Sequence, residues 1–170
     1  MTLHYVKGDA TKPAGDGPKL LIHCCNDIGA WGKGFVTALS RRWSKPEESY
    51  RSWALNESFR LGMVQPVRVE SDVWVLNMLA QRGIRRRSSD PPAIDYDKLR
   101  VCLRKVGDFA VSRAASVHAP KFGSALAGGS WDTIETMIVE ELVERGIDVF
   151  IYILPAEWRD EKQSPEPRTD

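Results

Sequence analysis

Cysteine is scarce in this chain. Cys24, Cys25 and Cys102 are its only three, and no C-x-x-C pair occurs, so neither a disulfide framework nor a zinc knuckle has ligands to build on. Cys24 and Cys25 are neighbours in an apolar run, so in a strand they face opposite sides and serve as small packing residues. An excess of charge of one sign is also missing. Lys and Arg total 24 against 23 Asp and Glu, a net charge of +1, which gives no global field for nucleic acid or a membrane surface. No apolar run approaches the roughly 18 residues of a membrane span, and the N-terminal residues lack the apolar centre of a secretion signal. These absences predict a soluble protein of a reducing compartment, the cytoplasm, with no specific nucleic-acid partner, no membrane attachment, no metal and no cofactor.

At 170 residues the length suits one domain, with a core large enough to need no staples. Regular patterns fill residues 1–155. Residues 156–170 are polar, charged and proline-interrupted, which predicts a tail without stable structure. Alternating or continuous apolar runs predict strands at 3–7, 19–24, 64–69, 73–78, 117–119 and 148–154. The 19–24 run (K-L-L-I-H-C) is apolar enough for a central strand covered on both faces. The short link at 70–72 makes the third and fourth strands a hairpin. Helical spacing joins Phe35, Ala38, Leu39 and Trp43, then Tyr50 and Trp53 behind Pro46, then Leu99 to Ala110 behind a capping Asp95, and last Ile134, Ile138 and Leu142. Strands alternating with helices indicate an α/β fold with a sheet part parallel and part antiparallel.

Two loops of small residues stand out, 26–34 (N-D-I-G-A-W-G-K-G) and 123–130 (G-S-A-L-A-G-G-S). Each leaves a predicted strand and enters a predicted helix. Backbone N–H groups exposed along such loops make an anion-binding concavity, and a helix N-terminus adds its dipole. Asp132 with Glu135 has the spacing of a cap and its reciprocal partner for the second of these helices. Neither loop is a Walker A sequence, because Lys33 is followed by Gly34 and Phe35. One glycine-rich loop reads equally as a tight turn; two of them suggest a diphosphate held from both sides. Trp31, between glycines, reads as an exposed aromatic at a loop tip. His23 and His118 lie inside apolar strands and read as packed core residues. Arg85-Arg86-Arg87 is either a solvated run or a contact for phosphate or an acidic protein substrate.

Taken together and in order, V-K-G-D-A at 6–10, I-H-C-C-N-D-I-G-A-W-G-K-G-F at 22–35, H-A-P-K-F-G-S-A-L-A-G-G-S-W at 118–131 and V-F-I-Y-I-L at 149–154 resemble the motifs of macrodomains, the ADP-ribose-binding fold. The branch most similar is that of the terminal ADP-ribose glycohydrolase and its bacterial relatives. The resemblance covers about residues 3–154 and implies a three-layer α/β/α sandwich with a mixed central sheet. It implies that Asp9 accepts from the adenine amine beside the Ala10 N–H, and that Tyr152 and Leu154 flank the adenine. Gly32, Lys33 and Gly34 would lie along the diphosphate and distal ribose, which the loop-tip Trp31, read from its own setting, could cover. Gly123, Ser124, Ala125, Leu126, Ala127 and Gly128 would form the phosphate loop, and Asn26 and Asp27 would sit near the distal ribose.

The glycohydrolase uses a lysine nucleophile and a second-loop aspartate. Here Ala127 stands at the aspartate's position, and the lysine's region reads N-M-L-A-Q-R-G, so lysine-dependent covalent catalysis is not expected. Asn26, Asp27, Gln81 and Arg82 are the candidates left for positioning a water or a ribose hydroxyl. The expected activity is hydrolysis of ester-linked ADP-ribose from Glu and Asp of ADP-ribosylated proteins, and deacetylation of O-acetyl-ADP-ribose by the same geometry. The alternatives are a non-catalytic ADP-ribose reader and, more remotely, a nucleotide-sugar or phosphoryl-transfer enzyme on an unrelated α/β fold.

Overall fold

A computed structural model describes residues 2–124 and 127–154. The sheet is assembled from β1 (Leu3–Lys7), β2 (Lys19–Asn26), β3 (Val64–Glu70), β4 (Val73–Gln81), β5 (Ser116–Ala119) and β6 (Val149–Ile153). Their order is β1-β6-β5-β2-β4-β3. Every neighbouring pair is parallel except the β3–β4 hairpin, which is antiparallel. Four helices cover it: α1 (Phe35–Arg42), α2 (Lys45–Trp53), α3 (Tyr96–Arg113) and α4 (Trp131–Glu141), with a 3-10 turn at Val143–Arg145. The predicted mixed α/β/α sandwich is therefore the observed one. Among the described residues, no helix is long and apolar enough to cross a membrane.

The period-2 alternation of the strands sorts side chains into two cores. Leu20, Ile22, Leu76, Met78, Val117 and Val149 face α3 and α4, where Leu99, Leu103, Val106, Ile134 and Ile138 meet them. Leu21, Cys25, Val75 and Leu79 face the other way, toward Leu39 of α1 and Tyr50 of α2. Each fully buried aliphatic side chain contributes about 1.5–3 kcal/mol. β2 is covered on both faces along nearly its whole length, which is why its sequence runs apolar without alternating. β2 and β4 each extend past the last apolar residue of their sequence runs, to Asn26 and Gln81. These polar residues still join the ladder at a register shift after Cys25.

Asp95 caps α3 as expected, accepting from the Lys98 N–H at 3.0 Å. The cap of α4 differs from the sequence expectation. Ser130, not Asp132, is its N-cap, and the Ser130 hydroxyl accepts from the Thr133 N–H. Asp132 lies inside the first turn, and Glu135 instead accepts from the Tyr5 hydroxyl of β1. Both residues can cap; Ser130 takes the position because the chain is still extended there.

Two buried histidines sit on the α1/α2 side of the sheet. Asn77 donates its amide to the Pro46 carbonyl and the Gln65 side chain, so its Oδ1 accepts from His23 Nε2 at 2.6 Å. Ala14 N–H donates to the Tyr152 hydroxyl (2.9 Å), which in turn donates to His118 Nδ1 (2.9 Å), while His118 Nε2 donates to Ser116 Oγ (2.7 Å). Both rings are thus neutral, as core histidines. Desolvation holds each at about 4, partly opposed at His23 by the Asn77 hydrogen bond and assisted at His118 by the Lys19 charge. An unfolded chain takes up protons at these histidines near pH 6.5, whereas the folded chain does not until about 4. The fold therefore loses stability as pH falls through that window, at up to about 1.4 kcal/mol per pH unit for each ring. Urea denaturation at pH 7.5, 6.5, 5.5 and 4.5 should show the loss beginning already between 6.5 and 5.5, above the carboxylate range. A flat midpoint over that interval would contradict the burial of neutral rings.

Candidate functional site

The topology decides where a ligand can enter. From β2 the chain leaves through α1 and α2 toward the β3–β4 side, whereas from β5 it leaves through α4 toward β6 on the opposite side. β2 and β5 are neighbours in the sheet, so their outgoing loops diverge and leave a crevice at the carboxyl ends of the strands. Open α/β sheets bind ligands at such a switch point. The two small-residue loops, 26–34 and 123–130, are the two loops that diverge. On one side of them β1 ends at Gly8-Asp9 and β6 at Leu154; on the other β4 ends at Gln81-Arg82. Asp9, Gly32 to Gly34, Arg82, Gly123 and Leu154 thus follow strand ends on one edge of the sheet.

The first loop is built on Asn26. Its Oδ1 accepts from the N–H groups of Ile28 (3.2 Å) and Ala30 (3.0 Å), and its Nδ2 donates to the Ala30 carbonyl (2.7 Å). From α2 the Tyr50 hydroxyl donates to the Asn26 carbonyl (2.6 Å) and to Oδ1 (2.9 Å). Asn26 is 8% exposed and Tyr50 fully buried. Burial, with the Cys25 thiol as a further cause, raises the Tyr50 phenol above its usual range, so it stays a donor. Asn26 is therefore the organiser of the loop: its Oδ1 is committed to Ile28, Ala30 and Tyr50 and one amide N–H to the Ala30 carbonyl, while the second amide N–H has no partner among the described residues. The exposed reading of Trp31 is corrected. It is 7% exposed, packed on Tyr50 and His23, and its Nε1 donates to Ser40 Oγ at 2.8 Å. The flanking glycines suggest a tip, but the indole turns inward to fill the space beside α2.

Gly32, Lys33 and Gly34 remain exposed. Gly34, at φ 81°, begins α1 with no side-chain cap, and no acidic residue occupies the first turn. The first N–H groups of α1 are thus left available, with the positive end of the helix dipole behind them. Ser130 closes the N-terminus of α4, so α1 is the more open of the two helix starts.

The second loop folds back on itself: the Gly129 N–H donates to the Gly123 carbonyl at 2.8 Å, and the Ala127 carbonyl accepts from Ala93 N–H at 2.8 Å. Ala127 is buried. Ala125 and Leu126 lie outside the described residues. Gly123 is at φ 76°, and a Cβ there would stand 3.0 Å from Ile134 Cδ1 and 3.3 Å from Ile94 Cδ1. A side chain at 123 would thus enter the core, not the mouth of the loop. Gly128, at φ 72°, lies directly under the Arg85 guanidinium, where a Cβ would be 2.4 Å from Nη1. No sequence signal links those two residues.

At the β1 end, Asp9 Oδ1 accepts from the N–H and the hydroxyl of Thr11, both at 2.8 Å. This is a local turn, and Oδ2 has no partner among the described residues. Ala10 is buried, Tyr152 is 6% exposed and Leu154 50% exposed. Tyr152 therefore offers an edge, its hydroxyl being engaged by Ala14 and His118, while Leu154 offers a face. At the β4 end, Asp27 Oδ1 accepts from the Gly83 N–H (2.8 Å), Gln81 donates its amide to the Gly83 carbonyl (3.2 Å), and Arg82 pairs with Asp95 (2.9 Å). Asp27 Oδ2 and Gln81 Oε1 have no partner there among the described residues. Burial raises the thiols of Cys24 and Cys25, so neither is a ready nucleophile. Met78, Leu79 and Ala80 are buried in β4.

No family model matches the chain. A solved structure of a protein of unknown function from Bacteroides thetaiotaomicron is 50% identical, with a TM-score of 0.86 over 89% of this chain and 98% of that one. The structure of a macrodomain protein from Streptomyces coelicolor is 44% identical, with a TM-score of 0.79 over 89% and 99%. Among curated relatives, chromodomain-helicase-DNA-binding protein 1-like from Mus musculus is 33% identical over 91% of this chain, which spans only 18% of that protein's length. An ADP-ribose 1''-phosphate phosphatase from Lodderomyces elongisporus is 33% identical over 89% of this chain and 99% of its own.

Replacing Asn26 by Ala removes the side-chain partner of three loop groups and one of the two acceptors of the Tyr50 hydroxyl, the main-chain carbonyl remaining. Stranding buried polar groups costs about 1–3 kcal/mol. A urea titration of Asn26→Ala should show a loss of that size; a loss under about 0.5 kcal/mol would mean the loop is held by other contacts.

Proposed function

This chain belongs to the macrodomain family, and from that footing we propose that the carboxyl edge of its sheet binds ADP-ribose and hydrolyses ester-linked ADP-ribose on modified proteins. The observation that carries this reading is the convergence at one switch point of two small-residue loops, one of them leading into the uncapped α1, with Asp9 at one end and Asp27 and Gln81 at the other. Adenine lies toward Asp9 Oδ2, the Ala10 N–H, the Tyr152 edge and Leu154. The diphosphate lies between Gly32-Lys33-Gly34 and Gly123-Ser124, with Ala127 and Gly128 on the side of the second loop. The distal ribose lies toward Asp27, with Arg82 oriented by Asp95.

With no lysine in the 77–83 segment, water is the nucleophile. Asp27 Oδ2 accepts a proton from it while its oxygen attacks the ester carbon; the bond from that carbon to the ribose oxygen breaks, and the proton passes to the departing ribose hydroxyl. The products are ADP-ribose and a free carboxylic acid, which ionises at neutral pH. Holding ester and water together supplies proximity, and loop N–H groups stabilise developing negative charge. The same geometry accepts O-acetyl-ADP-ribose. A second reading, phosphomonoester hydrolysis of ADP-ribose 1''-phosphate, is favoured by the identity along nearly the whole yeast phosphatase. A third, binding without turnover, is favoured by Ala127, which stands where the resembling glycohydrolase has its aspartate.

One assay separates the three. Purified protein is incubated with a glutamate-ADP-ribosylated protein and, separately, with ADP-ribose 1''-phosphate. Release of ADP-ribose from the first supports the ester hydrolase, and release of phosphate from the second alone supports the phosphatase. Intact substrates over hours beside measurable binding leave the reader.

Gly32 offers a clean disturbance of binding, because a Cβ there meets nothing within 4 Å and its φ is ordinary. Gly32→Glu places a carboxylate at the mouth of the first loop and should weaken ADP-ribose binding at least about tenfold, or 1.4 kcal/mol, with an unchanged melting temperature. Gly123→Glu, by contrast, should lower the melting temperature by intruding on Ile94 and Ile134. Equal calorimetric affinities for wild type and Gly32→Glu would refute the placement of the diphosphate.

A further inference from the structure

The loop at residues 82–92 carries Arg82, Arg85, Arg86 and Arg87 against a single acid, Asp90, and its charges are not equivalent. Arg82 is neutralised by Asp95. Arg85 is pinned: Nη2 donates to the Ser88 carbonyl at 2.6 Å, Nε to the Asp90 carbonyl at 3.2 Å, and the guanidinium lies on Gly128. The Asp90 carboxylate faces inward, where Oδ2 accepts from the N–H groups of Arg86 (3.2 Å) and Arg87 (2.9 Å), and the Asp90 N–H returns to the Arg87 carbonyl. The loop's one acid is thus used to shape its backbone. The exposed side chains of Arg86 and Arg87 have no partner among the described residues. Both ends of the loop are fastened, by Arg82 N–H to the Ala93 carbonyl at 2.8 Å and by the Gly83 N–H to Asp27.

The result is two exposed guanidinium groups, unpaired among the described residues, on a loop whose backbone is fixed and whose Gly83 is fastened to Asp27 and Gln81. Two exposed apolar side chains flank the Asp27–Gly83 contact in sequence: Ile28, 57% exposed, and Ile84, 46% exposed. Cations beside exposed aliphatic groups suit a polypeptide bearing acids and apolar residues better than a phosphate backbone, which offers nothing for the isoleucines.

We propose that the 82–92 loop is a docking surface for acidic polypeptide flanking the modified carboxylate, so that Arg86 and Arg87 select proteins ADP-ribosylated within acidic segments. This rests on the reading of the cleft as an ADP-ribose site, with the distal ribose at its β4 end. The free guanidinium groups pair with Asp and Glu on either side of the modified residue, while Ile28 and Ile84 cover the peptide's apolar side chains.

The test uses two synthetic peptides that carry ADP-ribose on one residue through a hydrolysis-resistant amide linker. One has Asp and Glu on both sides of the linked residue, the other Asn and Gln. Affinities are measured by fluorescence anisotropy for the full chain and for its Arg86→Glu/Arg87→Glu variant, with free ADP-ribose as a third ligand. The acidic peptide should bind wild type about fivefold tighter than the neutral one, with the gap closing at high salt. In the variant the order should reverse or level while free ADP-ribose affinity stays the same. Equal affinity of wild type for both peptides, or a preference the variant keeps, overturns the proposal while leaving the cleft reading intact. Absent binding of free ADP-ribose overturns the cleft reading itself, and the wild-type peptide ratio then reports on the loop alone. If a single-stranded oligonucleotide displaces the acidic peptide more effectively than unmodified poly-glutamate of equal charge, the occupant is nucleic acid and the proposal fails.

Discussion

Everything functional in this protein hangs on the divergence of β2 and β5. Two neighbouring parallel strands send their chains to opposite sides of the sheet, so no single connection can roof the space beyond their ends. The backbone groups that emerge there belong to loops, and loops of small residues leave those groups reachable. A phosphate is the natural counterpart of such a surface, because unpaired N–H groups and a helix dipole both favour negative charge. The fold thus creates the crevice as a consequence of its strand order.

What makes the crevice specific is rigidity beneath it. Asn26 and Tyr50 fix the first loop through five hydrogen bonds, the two between these residues buried and the three to Ile28 and Ala30 partly so. The second loop is closed by Gly129 on Gly123 and braced by Ala93. The Ala14–Tyr152–His118–Ser116 chain ties the segment after β1 to the middle of the sheet. None of these contacts needs to touch a ligand, yet each holds N–H groups where a ligand would meet them. Such preorganisation is paid in folding, before binding.

Much of this was legible in the residues. Apolar runs and glycine loops marked the strands and the order of the connections, and the small residues of 26–34 and 123–130 marked the two loops that leave β2 and β5. Side-chain direction was not legible. Trp31 between glycines reads as exposed, but α2 offers it a cavity beside Tyr50. Asn26 reads as a reactive group at a strand end, but a tyrosine 24 positions away uses it as a hydrogen-bond partner. Asp132 reads as a cap, but Ser130 stands at the true boundary. These depend on contacts between distant segments, which periodicity does not record. The 82–92 loop is the clearest case. Its four arginines form one basic run in sequence, whereas the fold pairs one with Asp95, pins another and leaves two without a partner among the described residues.

The account is tested most directly by following the backbone amides of isotopically labelled protein by NMR as ADP-ribose is added. It predicts that the large shifts fall on amides at the carboxyl edge of the sheet: Asp9 and Ala10, Gly32 to Phe35, Gly83, and Gly123, Gly128 and Gly129. Amides at the opposite edge, such as Ser116, Gly146 and Ile147, should stay where they are. Large shifts centred on that opposite edge, or no shifts at millimolar ADP-ribose, would contradict it.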